Sequence, residues 1–225
     1  PLSAARTAAL LIGTTMLVAS ANIFNSWMER DVDARMLRTK DRPLPAGRFD
    51  PWTAFALAVF LGVFSVPILA VAVNPLTALL GAIAHGIYVL VYTPLKRKTP
   101  LATLVGAVPG ALPPVIGWAA ARGQLDAGAF ILFAILFLWQ VPHFLAIAWL
   151  YRDDYARAGF PMLPVLDREG SFTSRQAVVH SLALLLVSLA PSVAGLAGPA
   201  YLAGALLLGA ALTVFALRLA RARDL

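Results

Sequence analysis

The stretch Asn22-Ile-Phe-Asn-Ser-Trp-Met-Glu-Arg-Asp-Val-Asp33 closes a long apolar run and leads directly into a basic loop. Within it, Asn25, Glu29 and Asp33 are spaced i, i+4, i+8, so on a helix all three lie on one face. Their amide and carboxylate oxygens are hard ligands, which predicts a divalent-cation site. The alternative is a solvated helix cap, but Asn25 lies within an apolar helix, where an unused polar group is costly.

A cluster of cations follows these oxygen donors. Guanidinium and ammonium groups of this kind hold the phosphate oxygens that a bound divalent metal would bridge. Together, the donors and the cations predict a diphosphate site at a membrane surface. The cations of this loop are Arg35, Arg38, Lys40, Arg42 and Arg48.

The composition places the chain in a lipid bilayer. It has 225 residues, of which 60% are hydrophobic and only 13% charged, and its mean hydropathy is +0.80. Cysteine is absent, which excludes disulfides and thiolate metal sites. The net charge of +7 does not indicate a nucleic-acid partner, because the basic residues cluster between apolar runs.

Seven apolar runs have about the length of roughly 20 residues that crosses the hydrocarbon of a bilayer, so the chain is predicted to be an all-α polytopic transmembrane bundle. If the connections alternate sides, the three long polar loops share one face, and their arginines and lysines make that face cytoplasmic by the positive-inside rule. The runs are approximately residues 7–28, 52–73, 76–92, 101–121, 128–150, 172–196 and 200–218.

A second basic cluster lies in the segment Tyr92-Thr-Pro-Leu-Lys-Arg-Lys98, on the same predicted face as the first. Alone, such a segment is most often an interfacial anchor. Its position beside the first cluster favours Lys96 and Arg97 as phosphate contacts.

A third polar group spans Trp139-Gln-Val-Pro-His-Phe144 and the downstream acids Asp153 and Asp154. Pro142 is expected to kink its helix and turn Gln140 and His143 toward a cavity, although His143 has the alternative of a hydrogen-bonded core histidine. The two acids either complete a second metal position or orient a water, with an exposed loop as the alternative. The run 101–121 is rich in glycine and proline and is expected to be broken or kinked.

These residues resemble the motifs of the UbiA superfamily of intramembrane prenyltransferases, in which an Asn is followed by acids four and eight residues on and then by Arg-Thr-x-x-Arg-Pro-Leu. The corresponding residues are Asn25, Glu29, Asp33 and Arg38-Thr-Lys-Asp-Arg-Pro-Leu44. Ser26 and Glu29 depart from the quinone-pathway members, and the likeness is greatest to the haem-modifying members. Since the superfamily has about nine helices, the domain at 1–225 is expected to lack the first and the last.

The resemblance implies a prenyl transfer from farnesyl diphosphate to haem B with Mg²⁺ as cofactor, at the cytoplasmic face of a bacterial inner membrane. It implies metal ligation by Asn25, Glu29 and Asp33, with His143 and Asp154 as further catalytic residues. Haem A synthase or cytochrome oxidase assembly factors are the implied partners. A quinone precursor or chlorophyllide as acceptor, or a membrane transporter, are the alternatives. The implied substrate contacts are Arg38, Arg42, Lys96, Arg97, Tyr92, Trp139, Gln140 and Asp153.

Overall fold

A computed structural model describes residues 2–221, so residues 1 and 222–225 of the predicted domain lie outside the described residues. Every regular element in the described part is a helix, as predicted. The helices are α1 (Ala4–Asp33), α2 (Pro51–Ala72), α3 (Pro75–Leu95), α4 (Ala102–Arg122), α5 (Ala127–Leu150), α6 (Arg152–Ala158), α7 (Leu163–Leu166), α8 (Ser171–Val187), α9 (Ala190–Val193) and α10 (Pro199–Arg221).

Seven segments within residues 2–221 are long and apolar enough to cross a membrane, namely α1 to α5, the α8–α9 pair and α10. They coincide with the seven predicted runs, and solved structures of the same fold, described below, confirm the all-α transmembrane class. The long connections after α1, α3 and α5 emerge at one end of the bundle, since the helices alternate in direction. Short turns close the opposite end.

Helices α2, α3 and α5 each begin at a side chain that caps the first turn. Asp50 and Asn74 each accept a hydrogen bond from the backbone N–H three residues on, and each is followed by a proline in the first turn. Asp126 caps α5 by accepting from the backbone N–H of Gly128. These caps fix the turns that reverse the chain.

The proline-rich helix α4 is not broken, which was one of the two forms expected of it. It is continuous from Ala102 to Arg122, with Pro109, Pro113 and Pro114 inside it. Interior prolines each remove one backbone hydrogen bond, but neighbouring helices in a membrane support the affected turns. Here α4 packs between α3 and α5.

Close packing of α4 against α5 places Gln140 between the two helices. Its side-chain amide Nε2 donates to the carbonyls of Ala107 at 3.1 Å and Leu136 at 3.2 Å. A Cβ built on Gly110 would come within 1.9 Å of Gln140 Oε1, so a larger residue at this position would force the Gln140 amide to move. Gln140 therefore joins two helices and does not face the cavity that was expected beside it.

The substitution Gly110→Ala is expected to displace Gln140 and cost about 1–2 kcal/mol of stability, because the amide loses its buried carbonyl partners. Gly117→Ala is the matched control, since a Cβ at Gly117 in the same helix has no atom within 4 Å. Thermal unfolding in detergent, followed by tryptophan fluorescence, measures both. Equal midpoints for the two variants would contradict this account of the α4–α5 contact.

Candidate active site

The ends of α1, α3 and α5 meet at one end of the bundle and enclose a cavity of about 120 Å³. The basic loop after α1 and the short helices α6 and α7 cover it. Its polar lining is formed by Asn25, Glu29, Asp33, Arg38, Thr39, Arg42, Tyr92, Lys96, Thr103 and Tyr155.

Glu29 and Lys96 form an ion pair inside this cavity. The Lys96 ammonium lies 2.7 Å from both carboxylate oxygens and donates to Oε2, while Oε1 keeps no hydrogen bond. The Glu29 side chain is only 5% exposed, so both charges depend on one another. Burial lowers the pKa of Lys96 from its ordinary value, and the nearby Glu29 carboxylate opposes that shift.

Asp33 lies one helical turn further and is 1% exposed. Its Oδ2 accepts a hydrogen bond from Arg42 Nη1 at 2.8 Å, and its backbone carbonyl accepts one from the buried hydroxyl of Thr39. The loop thus folds back over the last turn of α1. Glu29 and Asp33 are therefore each paired with a cation from another segment, Lys96 and Arg42 respectively.

The loop is held by Asp154 at the start of α6. Its two carboxylate oxygens accept from the backbone N–H groups of Leu37 and Arg38, each at 3.1 Å, and Arg157 donates to the same carboxylate. Burial alone would raise the pKa of Asp154, but these hydrogen bonds outweigh it and hold the pKa below its ordinary value.

The catalytic role predicted for Asp154 stays a prediction. In the structure its two carboxylate oxygens bind the backbone of the loop and so hold Arg38 in place. The Arg38 guanidinium lies over the Tyr151 ring, 4.8 Å from its centroid, and donates to the Tyr155 hydroxyl at 3.2 Å. Arg38 thereby reaches the cavity from the loop side.

Two more predicted residues lie on α3 or just after it. The Tyr92 ring lines the cavity, with the Lys96 ammonium 4.9 Å from its centroid. A Cβ on Gly106 would come within 2.5 Å of that ring, so α4 contributes a glycine to make room. Arg97 is exposed, does not line the cavity, and donates to the carbonyl of Met28, the residue before Glu29.

Trp139, His143 and Asp153 do not line this cavity. Because α5 continues through Pro142 as one helix, Phe144 and Ile147 face the cavity, Val141 and Leu145 are buried, and positions 139 and 143 fall on the outer face. There the two rings stack, with centroids 4.7 Å apart. The orientation expected for His143 is therefore wrong, while its role stays a prediction. Asp153 is exposed at the start of α6.

Several cavity residues were not predicted from the sequence. Thr103 and Tyr155 look like ordinary helix residues, and Met36, Phe160 and Met162 look like ordinary core residues. Thr39 lies within the quoted Arg38–Leu44 motif, but nothing in its spacing indicated contact with Asp33. The contact between Tyr155 and Arg38 likewise depends on how the loop folds over α6.

A second cavity of about 440 Å³ lies deeper in the bundle, among α1, α3 and α4. Its lining is almost wholly apolar and reaches from Asn22 and Tyr88, near the first cavity, to Gly117. An apolar space beneath a charged one suits a ligand with an ionic head and a hydrocarbon tail.

The donors present are compatible with Mg²⁺. The residues 2–221 contain no group of three or more His, Cys, Asp and Glu side chains placed to hold a metal. However, Mg²⁺ is typically bound through one or two carboxylates plus substrate phosphates. Glu29 and Asp33 supply two carboxylates, Asn25 adds an amide, and Glu29 Oε1 lies 2.7 Å from the Lys96 ammonium without a hydrogen bond of regular geometry.

Paired acids and cations above an apolar cavity, in a bundle with seven spans among residues 2–221, fit the class of intramembrane prenyltransferases. The profile of the UbiA prenyltransferase family matches residues 1–225. The chain belongs to this family.

Named relatives and solved structures agree with this assignment. The chain is 51% identical to the protoheme IX farnesyltransferase of Anaeromyxobacter sp. (strain Fw109-5), over 94% of this chain and 71% of the relative. It is 50% identical to that of Solibacter usitatus (strain Ellin6076), over 88% and 68%. A digeranylgeranylglyceryl phosphate synthase structure superposes with a TM-score of 0.81 at 15% identity, over 98% of this chain and 76% of the other. An apo UbiA homologue from Aeropyrum pernix K1 gives 0.77 at 18% identity, over 99% and 83%.

The substitution Asp154→Ala is expected to release the basic loop, because Leu37 and Arg38 lose their acceptor. Trypsin should then cleave within the loop, after Arg35 or Lys40, at least about tenfold faster, the change that a loss of roughly 1.4 kcal/mol produces. Limited proteolysis followed by mass spectrometry measures the rates.

The neighbouring substitution Asp153→Ala is the control, since this acid is exposed. The pKa of Asp154 is lowered on folding. The contact between Asp154 and the loop backbone is therefore fully formed above the ordinary carboxyl pKa and is lost only as the pH falls through the lowered value. Equal cleavage of both variants would show that Asp154 does not hold the loop.

Proposed function

We propose that this chain is a protoheme IX farnesyltransferase, which transfers the farnesyl group of farnesyl diphosphate to a vinyl group of haem B and so forms haem O. The observation that carries the proposal is the pair of buried acids, Glu29 and Asp33, each matched to a cation at the mouth of an apolar cavity. The names of relatives about half identical to the chain supply the two substrates.

The diphosphate would lie in the smaller cavity, with Lys96, Arg42 and Arg38 around it and Arg97 outside the cavity. Asn25, Glu29 and Asp33 would hold Mg²⁺, and the bound metal would supply charge stabilisation to the leaving diphosphate. The carbon–oxygen bond breaks with its electron pair going to the diphosphate. Fixed cations in a site from which water is largely excluded stabilise that developing charge more strongly than they would in water.

The farnesyl tail would extend into the deeper cavity between α1, α3 and α4. Its apolar walls exclude water and protect the allylic cation from premature hydrolysis. The vinyl π electrons of haem B then form the new carbon–carbon bond. The resulting cation beside the macrocycle is captured by water, which loses a proton, and the product carries a hydroxyethylfarnesyl group.

The haem would lie where its vinyl group reaches the allylic carbon at the mouth of the apolar cavity. The positive loops make the cavity end cytoplasmic, in a bacterial inner membrane. Because a farnesylated haem stays in the bilayer, we propose haem A synthase or a cytochrome oxidase assembly factor as the partner that receives it.

The substitution Glu29→Gln should lower the rate of haem O formation at least about 100-fold, the scale seen when one electrostatic group is removed from an active site. Liquid chromatography with mass spectrometry of extracted haems measures it. Asp31→Asn is the control, because that side chain is 71% exposed. Unchanged haem O formation by Glu29→Gln would contradict the proposal, and so would a wild-type protein that prenylates a quinone precursor but not haem.

The substitution Gly117→Leu should fill the deep end of the apolar cavity, since a Cβ there meets no atom within 4 Å. The ratio of kcat/KM for farnesyl over geranyl diphosphate should fall about tenfold, because one or two buried methylene contacts are lost at the tail's end. Gly117→Ala, which adds a single methyl group, should leave the ratio near the wild-type value. An unchanged ratio in Gly117→Leu would place the tail elsewhere.

A further inference from the structure

The transition from α-helix to π-helix in α3 controls the hydrogen bonding of one buried threonine. Residues Ile87–Tyr92 are π-helical, and the backbone N–H of Thr93 donates to the carbonyl of Tyr88, five residues back. Pro94 follows, and its ring would clash with the carbonyl four residues earlier in a regular α-helix. The wider turn avoids that clash and leaves the Tyr88 carbonyl within reach of the Thr93 side chain.

The Thr93 hydroxyl donates its single proton to the Tyr88 carbonyl at 2.9 Å. Thr93 is 1% exposed, so no water competes for that proton. A hydroxyl has one donor, and its oxygen can therefore only accept from other groups. A neighbouring side chain must therefore offer a hydrogen-bond donor to the Thr93 oxygen.

The neighbour is Asn25, whose side-chain Nδ2 donates to the Thr93 oxygen at 3.4 Å. A flipped amide would set its oxygen against the Thr93 lone pairs, so the hydrogen-bond network selects one orientation. In that orientation Oδ1 is the atom left for the cavity, which Asn25 lines together with Glu29 and Asp33.

We infer that Thr93 is a positioning residue: it turns the amide of Asn25 so that its oxygen, and not its NH₂ group, joins the two carboxylates as a ligand for a divalent cation. The inference rests on the cation site of the proposed function. Residues that hydrogen-bond to a metal ligand hold it in its binding orientation, and their loss typically weakens metal affinity 10- to 100-fold.

The test uses Mn²⁺, which reports its own binding through the loss of the free-ion electron paramagnetic resonance signal, on the full chain in detergent. Thr93→Val keeps the size of the side chain and removes its oxygen, and should weaken Mn²⁺ binding about tenfold. Thr93→Ser keeps the hydroxyl and should bind within about twofold of the wild type. Equal affinity of Thr93→Val and the wild type overturns the inference and leaves the cation site intact.

Repeating Thr93→Val in an Asn25→Asp background distinguishes an effect on the structure of α3 from an effect on the orientation of the Asn25 amide. A carboxylate has oxygens in both positions, so its orientation no longer matters and the tenfold loss should disappear. A loss of the same size in both backgrounds overturns the inference, because Thr93 would then act on the helix and not on the amide. A wild-type protein that binds no Mn²⁺ overturns the cation site itself and this inference with it.

Discussion

The site depends on one interaction above all, the buried ion pair between Glu29 on α1 and Lys96 at the end of α3. Neither charge is tolerable alone at this depth, because removing one partner leaves the other desolvated and unpaired. The pair therefore fixes how the ends of α1 and α3 meet. It also keeps a charged carboxylate in a largely buried position, where its interactions with a metal-bridged diphosphate are stronger than they would be in water.

Around that pair, each further group is held by a partner on another element. Arg42 returns from the loop to Asp33, Asp154 on α6 binds the backbone beneath Arg38, and Thr93 on α3 holds the amide of Asn25. Contacts of this kind pre-organise charge before substrate arrives, and fixed charges lower a reaction barrier more than mobile ones do. The rigid bundle below supplies the support, since glycines such as Gly106 and Gly110 let the helices approach closely.

Much of the candidate site followed from spacing alone. Asn25, Glu29 and Asp33 repeat with the period of a helix, and the structure places all three in one cavity with the predicted Arg38, Arg42, Lys96 and Tyr92. The orientation of the polar residues around Pro142 could not be predicted from spacing. Pro142 was expected to turn His143 inward, but α5 stays helical and its rotation of about 100° per residue places that ring on the outer face. Gln140 was predicted to face a cavity, but its side chain lies between α4 and α5 and donates to the carbonyl of Ala107.

Sequence by itself determined the class of fold, the seven spans, the shared face of the acids and the end of the bundle where the charges gather. These properties depend on hydropathy and helical period, which are local. Only the tertiary structure decided which cation meets which acid, that Asp154 binds loop backbone, and that a π-helical turn aims Thr93 at Asn25. Those contacts join residues up to 117 positions apart, and their geometry depends on helix rotation and loop path, which no local pattern encodes.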